Sequence, residues 1–278
     1  MAAAVWHLAM AQRFLLLVTA ALAFGCSPTP VAKTSPPTGE QLVLLIERDN
    51  AEAVLALLAN SPDSMFPYTR STKGGGTSAE QATALWIACA KNASKTVSLL
   101  LNREAKVDLP TSVAGDTPLW VASRLGHFEL CKILIDAGAD VNFQGRLGFS
   151  PLHAATMFGH VSVCELLLKH GANANAANVD GWTPSFTATL AEPPQRRIAV
   201  LDALKEGGAD LNKKANRGLS LLAMCLEFRD DETVVWLLEN GVLYDDKSQQ
   251  LGNIKKLAKL YKMKHLLEWF EKRNRAKQ

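Results

Sequence analysis

Cysteine is sparse in this chain, and its cysteines make no pattern. Cys26, Cys89, Cys131, Cys164 and Cys225 are the five among 278 residues. None of them pairs at the close spacing of a zinc site, and no helix carries the His-Glu-x-x-His arrangement of a metalloprotease. An excess of one charge is lacking too. Thirty Lys and Arg against 27 Asp and Glu leave a formal charge of +3, so the chain as a whole has no nucleic-acid signature. The apolar run Phe14–Phe24 covers 11 residues, too few to span a bilayer, which takes about 20. Gly74-Gly75-Gly76 lacks the following Lys-Ser/Thr of a phosphate loop, and no preceding strand is expected, so it reads as a flexible connection. Together these absences leave no constellation for catalysis, metal binding or a cofactor, and the expectation is a non-enzyme that needs none.

What the chain does have is a beat. Thr117-Pro118-Leu119-Trp120 recurs as Ser150-Pro151-Leu152-His153 and as Thr183-Pro184-Ser185-Phe186, 33 residues apart each time. A second motif keeps step: Gly138-Ala139-Asp140-Val141-Asn142 and then Gly171-Ala172-Asn173-Ala174-Asn175, again at 33. Weaker copies lie 34 residues upstream, at Thr83-Ala84-Leu85-Trp86 and Glu104–Asp108, and 37 downstream, at Gly208–Asn212 and Ser220-Leu221-Leu222. Two motifs in register at one period mean stacked repeats. The shared excess of four residues downstream predicts an insertion near Ala191–Gln195, where Pro193 and Pro194 suggest a longer turn between two helices.

These motifs resemble the ankyrin-repeat family. The resemblance implies an all-α solenoid of helix-turn-helix units with β-turn tips, five to six units plus a C-terminal cap. The physics of the unit agrees with it. Thr117 is a natural N-cap and Pro118 suits the first helical position. Gly126-His127 and Gly159-His160 break between two helices, and Leu130, Ile133, Leu134 and Ile135 give the second helix an apolar stripe. Gly138 and Gly171 end that helix in a left-handed conformation. The family uses His153 to hold the loop backbone, so His153, His127 and His160 are expected to be scaffold. Cys131 and Cys164 occupy equivalent helices of neighbouring units, about 8–10 Å apart, beyond the ~7 Å a disulfide tolerates. All four cysteines after Cys26 are therefore expected to be small buried hydrophobes.

The organisation follows. Residues 1–25 read as a signal peptide and 26–39 as a Pro/Ser/Thr-rich tether. Residues 40–278 form the repeat domain, with a cap at 40–60, a long flexible loop at 61–78, repeats at 79–246 and a C-terminal cap at 247–278. Gly25-Cys26 after the apolar run resembles a bacterial lipobox, which would lipidate Cys26. Ala21-Leu22-Ala23 is an alternative cleavage site for soluble export. The expected location is periplasmic and membrane-anchored through Cys26, with a cytoplasmic location as the alternative that unpaired thiols favour.

Repeats of this family bind proteins on a concave face of turn tips and inner helices. Mapped here, that face holds Val113, Asp116, Arg146, Leu147, Phe149, Asp180, Trp182, Arg217 and Leu219 at the tips. Arg124, Leu125, Met157 and Phe158 stand at the ends of the inner helices. Phe149, Met157, Phe158 and Trp182, with Arg124 and Arg146, have the aromatic, Met and Arg composition of a binding core. The expected partner is a protein, a periplasmic or secreted enzyme that the chain inhibits or neutralises for self-protection. An accessory scaffold stabilising such an enzyme, for example an oxidative-stress enzyme, and a cytosolic adaptor are the alternatives. The chain is expected to be monomeric when free, to touch membrane only through its lipid anchor and to bind no nucleic acid. Residues 247–278 hold ten Lys/Arg against Glu268 and Glu271, and are expected to be a solvated cap surface plus a frayed tail, with binding of nucleic acid or anionic lipid as the alternative.

Overall fold

The computed structural model describes residues 39–58, 61–71, 77–242 and 254–275. Cys26, the signal-like run and the tether up to Thr38 lie outside them, as do Gly74-Gly75-Gly76. Among the described residues seven helix pairs follow one another. The first six are α1 (Gly39–Glu47) with α2 (Ala51–Leu58), α3 (Ala84–Ala90) with α4 (Ser94–Asn102), α5 (Pro118–Leu125) with α6 (Phe128–Asp136), α7 (Pro151–Met157) with α8 (Val161–Lys169), α9 (Pro184–Ala188) with α10 (Pro194–Glu206), and α11 (Leu221–Glu227) with α12 (Asp231–Glu239). The last pair is α13 (Ile254–Leu260) and α14 (Lys264–Arg275). The pairs fall into two compact bodies, residues 1–151 and 152–278.

In the first body the inner helices α1, α3 and α5 pack in series, and so do the outer helices α2, α4 and α6. Leu85, Ile87, Leu100, Leu119, Leu130 and Leu134 are all sealed from solvent. The start of each inner helix obeys local chemistry. Thr83 and Thr117 sit in extended backbone, and their hydroxyls accept from the N–H of Trp86 and Trp120. Pro118 occupies the first turn, where a missing N–H costs nothing. Gly126 ends α5 at φ 72°, a left-handed conformation that costs a residue with a Cβ about 1–2 kcal/mol.

One segment departs from the reading of 61–78 as a loop. Met65–Ser71 (β1) and Thr77–Thr83 (β2) pair antiparallel, from Met65 opposite Thr83 to Ser71 opposite Thr77. Phe66 and Ala82 face each other across the ladder and are both buried. Pro67 lies within β1, and a proline is tolerated in an edge strand, where its absent N–H breaks no ladder bond. A strand therefore does precede the glycine triplet, although the Lys-Ser/Thr of a phosphate loop is still missing from the sequence.

In the second body the outer helices α8, α10, α12 and α14 pack in series. The predicted insertion is here, and its four residues lengthen the outer helix: α10 has 13 residues, against nine in α6 and α8. The turn is longer as well, five residues (189–193) between α9 and α10 against two between α5 and α6, because α9 has five residues where α5 has eight. Val200, Leu201 and Leu204 precede Gly208 by the same intervals as Val163, Cys164 and Leu167 precede Gly171, and all six are buried. The added turn is thus Pro194–Arg197, at the front of α10. Arg197 locks it in place. Its Nε donates to the carbonyl of Ala191 at 2.8 Å, and its two terminal nitrogens reach Asp230 Oδ2 at 2.8 Å and Glu192 Oε1 at 2.6 Å. Asp230 in turn caps α12, accepting from Thr233 N at 3.3 Å.

Carboxylates also hold the outer helices of the first and last parts of the array. Asp49, in the turn between α1 and α2, accepts from the N–H of Lys95 at 3.2 Å and of Thr96 at 2.9 Å at the start of α4. Asp231 accepts from His265 N at 2.9 Å at the start of α14. The interior outer helices α6 and α8 instead start at His127 and His160, neither of which caps its helix through its side chain.

Candidate interaction surface

Between an outer helix and the next inner helix the chain makes a tight reversal that projects a tip. Gly115 and Gly148 turn these tips in the first body at φ 72° and 76°. Each tip is closed by its own backbone: Thr111 N donates to Asp116 O at 3.0 Å, and Gly145 N donates to Phe149 O at 3.3 Å. Neighbouring tips are joined edge to edge. Ser112 N donates to Gln81 O of β2 at 3.0 Å, and Arg146 N donates to Ala114 O at 3.2 Å. The Arg146 guanidinium adds a bond to Ser112 O at 2.7 Å. A row of tips held by paired backbone bonds is a rigid platform. On it Val113 and Leu147 are 50% and 56% exposed, with Arg146 exposed beside them.

The second body repeats the device. Asn178 N donates to Trp182 O at 3.0 Å, while the Asn178 side-chain oxygen accepts from the N–H of Asp180 and of Trp182. Asn216 N donates to Asp180 O at 3.0 Å, and its amide nitrogen donates to Val179 O at 3.0 Å. Gly181 is tied by closeness as well as by φ, because a Cβ there would run into the backbone and side chain of Asn216. Val179 is 58% exposed at this tip.

The structure divides the residues assigned to the binding face. Arg146, Leu147, Val113 and Arg217 are exposed, and Leu125, Phe158, Asp180, Trp182 and Leu219 are half-buried. Arg124, Asp116, Phe149 and Met157 are buried, which corrects their placement on an exposed face. Arg124 is only 2% exposed because its guanidinium lies over the Trp120 ring, 5.6 Å from the centroid. Trp182 stacks on Phe186 and Phe158 on His160, at 6.2 and 6.5 Å between centroids, so both rings have packing partners within their own repeats. The apolar surface has moved outward, from the ends of the inner helices to the tips. Val179 was missed, although repeat register makes its position equivalent to those of Val113 and Arg146, each four residues before the Thr or Ser of its motif.

The helix-to-tip connections hold a second feature that the motifs did not announce. Asp140, Asn173 and Asp210 each accept from the N–H two residues on. The side chain of the motif's fifth position reaches across to the following unit: Asp108 accepts from Asp140 N at 3.0 Å, and Asn175 from Asp210 N at 2.7 Å. The Gly-Ala-Asp-x-Asn motif is therefore a ladder between repeats. Burial and the nearby Asp140 carboxylate raise the Asp108 pKa against the opposing pull of the Asp140 N–H.

His153 and the four described cysteines are packed into the repeats. His153 is fully buried with Nε2 3.0 Å from the Trp182 carbonyl, and burial takes its pKa down to about 4. Cys89, Cys131, Cys164 and Cys225 are buried and free. Burial pushes the Cys131 thiol up to about 11 and raises the other three as well, the opposite of what a thiolate nucleophile requires. Among the described residues no group of three His, Cys, Asp or Glu side chains is placed to hold a metal ion. Among them, too, no helix is long and apolar enough to cross a membrane.

Comparison with known proteins decides the family. The family described as "Ankyrin repeats (3 copies)" matches residues 42–145 and 138–215, more than half of the chain. The chain belongs to the ankyrin-repeat family. Among curated proteins, it is 45% identical over 60 residues to human "Ankyrin repeat and KH domain-containing protein 1" and to "Ankyrin repeat and KH domain-containing protein mask" of Drosophila melanogaster. Each match covers 22% of this chain. The Caenorhabditis elegans protein mask-1 is 44% identical over 45 residues, 16% of the chain. The matched part is 2% of the length of each relative. Ankyrin repeats are protein–protein interaction modules, typically non-catalytic.

Proposed function

We propose that this ankyrin-repeat chain is an exported, membrane-tethered binding protein that docks an enzyme of its own compartment through the turn tips and inhibits it. The observation that carries the docking surface is the exposure of Val113 and Leu147 on tips whose backbones are locked to one another, with Arg146 alongside. Apolar side chains held rigidly in water lose little conformational entropy on binding and gain the full transfer free energy of burial. The tether reading is supported by the sequence alone, from Phe14–Phe24 and Gly25-Cys26, with Cys26 as the lipidation site. The enzyme partner and the self-protection role rest on analogy with exported repeat proteins.

The test is capture by a tagged form lacking residues 1–26 from periplasmic and secreted fractions of its own cells. Recovery of a hydrolase whose activity falls on binding supports the reading. A partner whose activity rises supports the accessory scaffold instead, and failure to capture any exported enzyme refutes both. A cytosolic adaptor is the second reading, favoured by four buried cysteines, none of them paired in a disulfide. Intact mass of the mature chain separates the two: a lipid-modified Cys26 N-terminus fits export, an unprocessed head the adaptor.

A further inference from the structure

The C-terminal helix pair does not share the charge balance of the rest of the chain. Residues 247–278 contain ten of the 30 Lys and Arg and two of the 27 Asp and Glu, so the remainder carries 20 basic against 25 acidic residues. A net-acidic body thus ends in a strongly basic segment. α13 concentrates this charge on one side. Ile254 and Ala258 are buried, while Lys255, Lys256, Lys259 and Leu260 are exposed. Helical spacing places these four within a single arc opposite the buried pair, and no acid lies on the helix. Lys262 is exposed in the following turn. Arg229 adds a further cation, its guanidinium 4.7 Å above the Tyr261 ring. Amid these cations Leu260 is 69% exposed, above every other large hydrophobic side chain among the described residues. The acids of the pair are on α14, where Glu268 lies 4.0 Å from Lys264.

We propose that this face of the C-terminal cap docks on a membrane surface rich in anionic phospholipid. Lysines on flexible stems meet the headgroups, and Leu260 enters the boundary between headgroups and acyl chains. The leucine distinguishes this from a nucleic-acid surface, whose phosphates would be met by cations and stacking rings and would leave Leu260 in water. Lysines near an anionic leaflet are attracted through its surface potential within about a Debye length, and the acidic remainder of the chain is repelled by the same potential, which orients the cap toward the lipid. One leucine and a few lysines give reversible surface binding, a second contact that adds to a lipid anchor. The inference does not depend on the tip surface, and Leu147→Ser leaves it unchanged.

The full chain is sedimented with vesicles of phosphatidylcholine alone and of phosphatidylcholine with about one-third phosphatidylglycerol, at low and high salt. The apolar head is common to the native chain and the variants, so its contribution cancels between them. The expected result is an anionic-vesicle preference that salt removes. The double variant Lys255→Gln/Lys259→Gln lowers it roughly thirty-fold, since each lysine near the surface contributes about fivefold, and Leu260→Ser lowers it about tenfold. All three positions are exposed, so unchanged thermal unfolding of the variants is the folding control. Equal binding of the native chain to both vesicles, or a preference that both variants retain, overturns the proposal. So does binding to a single-stranded oligonucleotide that is lost with Lys255→Gln/Lys259→Gln while vesicles show no anionic preference, which assigns the face to nucleic acid.

Discussion

His153 should make the stability of this protein depend on pH in a way a single substitution removes. Its imidazole is fully buried against the Trp182 carbonyl, and burial lowers its pKa to about 4 from an ordinary 6.5, against the opposing pull of hydrogen bonds to Trp182 and Ala176. The unfolded chain takes up the proton below about pH 6.5 and the folded chain not until about pH 4. Between those values the unfolded state binds more protons, so the stability contributed by neutral His153 is complete above pH 6.5 and falls as pH drops, levelling out below pH 4. At about 1.4 kcal/mol per pKa unit the full loss is about 3 kcal/mol, and about 2.5 kcal/mol of it has developed by pH 4.5. Urea unfolding from pH 7.5 to 4.5 on the native chain and on His153→Gln isolates the term. Glutamine keeps a donor for the carbonyl and does not titrate, so the native-minus-variant difference should shrink by that amount toward acid. A difference that stays level within about 0.5 kcal/mol over the whole range refutes the reasoning, because His153 would then titrate alike in both states.

Four further outcomes are expected. Arg197→Ala should cost about 3 kcal/mol in urea unfolding, because it strands the buried Asp230 carboxylate; a loss under about 1 kcal/mol would show that the lock holds nothing. Leu134→Ala should cost about 2–5 kcal/mol as a core truncation, measured in the same way. Leu147→Ser should change stability by no more than about 0.5 kcal/mol yet weaken partner binding about tenfold by calorimetry, whereas a partner that tolerates it does not use the tips. Asp49, whose pKa burial raises but the Thr96 and Lys95 hydrogen bonds bring down on balance, stabilises the fold above the ordinary carboxylate range and loses that contribution as pH falls through its lowered value. Thermal melts of Asp49→Asn should accordingly show a shallower acid limb than the native chain.

The repeat was legible because its signals are local. Thr117 capping Trp120 N and Pro118 in the first turn need only their own neighbours to be understood. Gly138 and Gly171, at φ 89° and 84°, stop α6 and α8 where the motif places them. The strands β1 and β2 were not legible, since Pro67 and three glycines outweigh the weak alternation of Phe66 and Tyr68, and the hairpin is completed by partners such as Ser112 that lie far along the chain. The candidate surface was half legible. Tip positions follow from register, and Arg146, Leu147 and Arg217 are exposed there. Arg124 shows the limit: its repeat position said "end of inner helix", but whether a side chain there meets water depends on a neighbour such as Trp120. The insertion shows the same limit, because counting located four extra residues and only the burial of Val200, Leu201 and Leu204 revealed that they lengthen a helix.

The carboxylates at the two extremes of the repeat series bear on how the array comes apart. In a quasi-one-dimensional stack an interior pair has two interfaces and an end pair one, so opening starts where a single interface is all that must fail. Asp49 gripping the start of α4 strengthens the interface of the first described pair in its body, and Asp231 gripping the start of α14 that of the last described pair in the other. Amide exchange of these two pairs should then be governed by these two side chains out of proportion to their number. Losing either should let its helix pair open on its own, exposing the neighbouring pair to proteases while the remaining pairs of the same body stay protected.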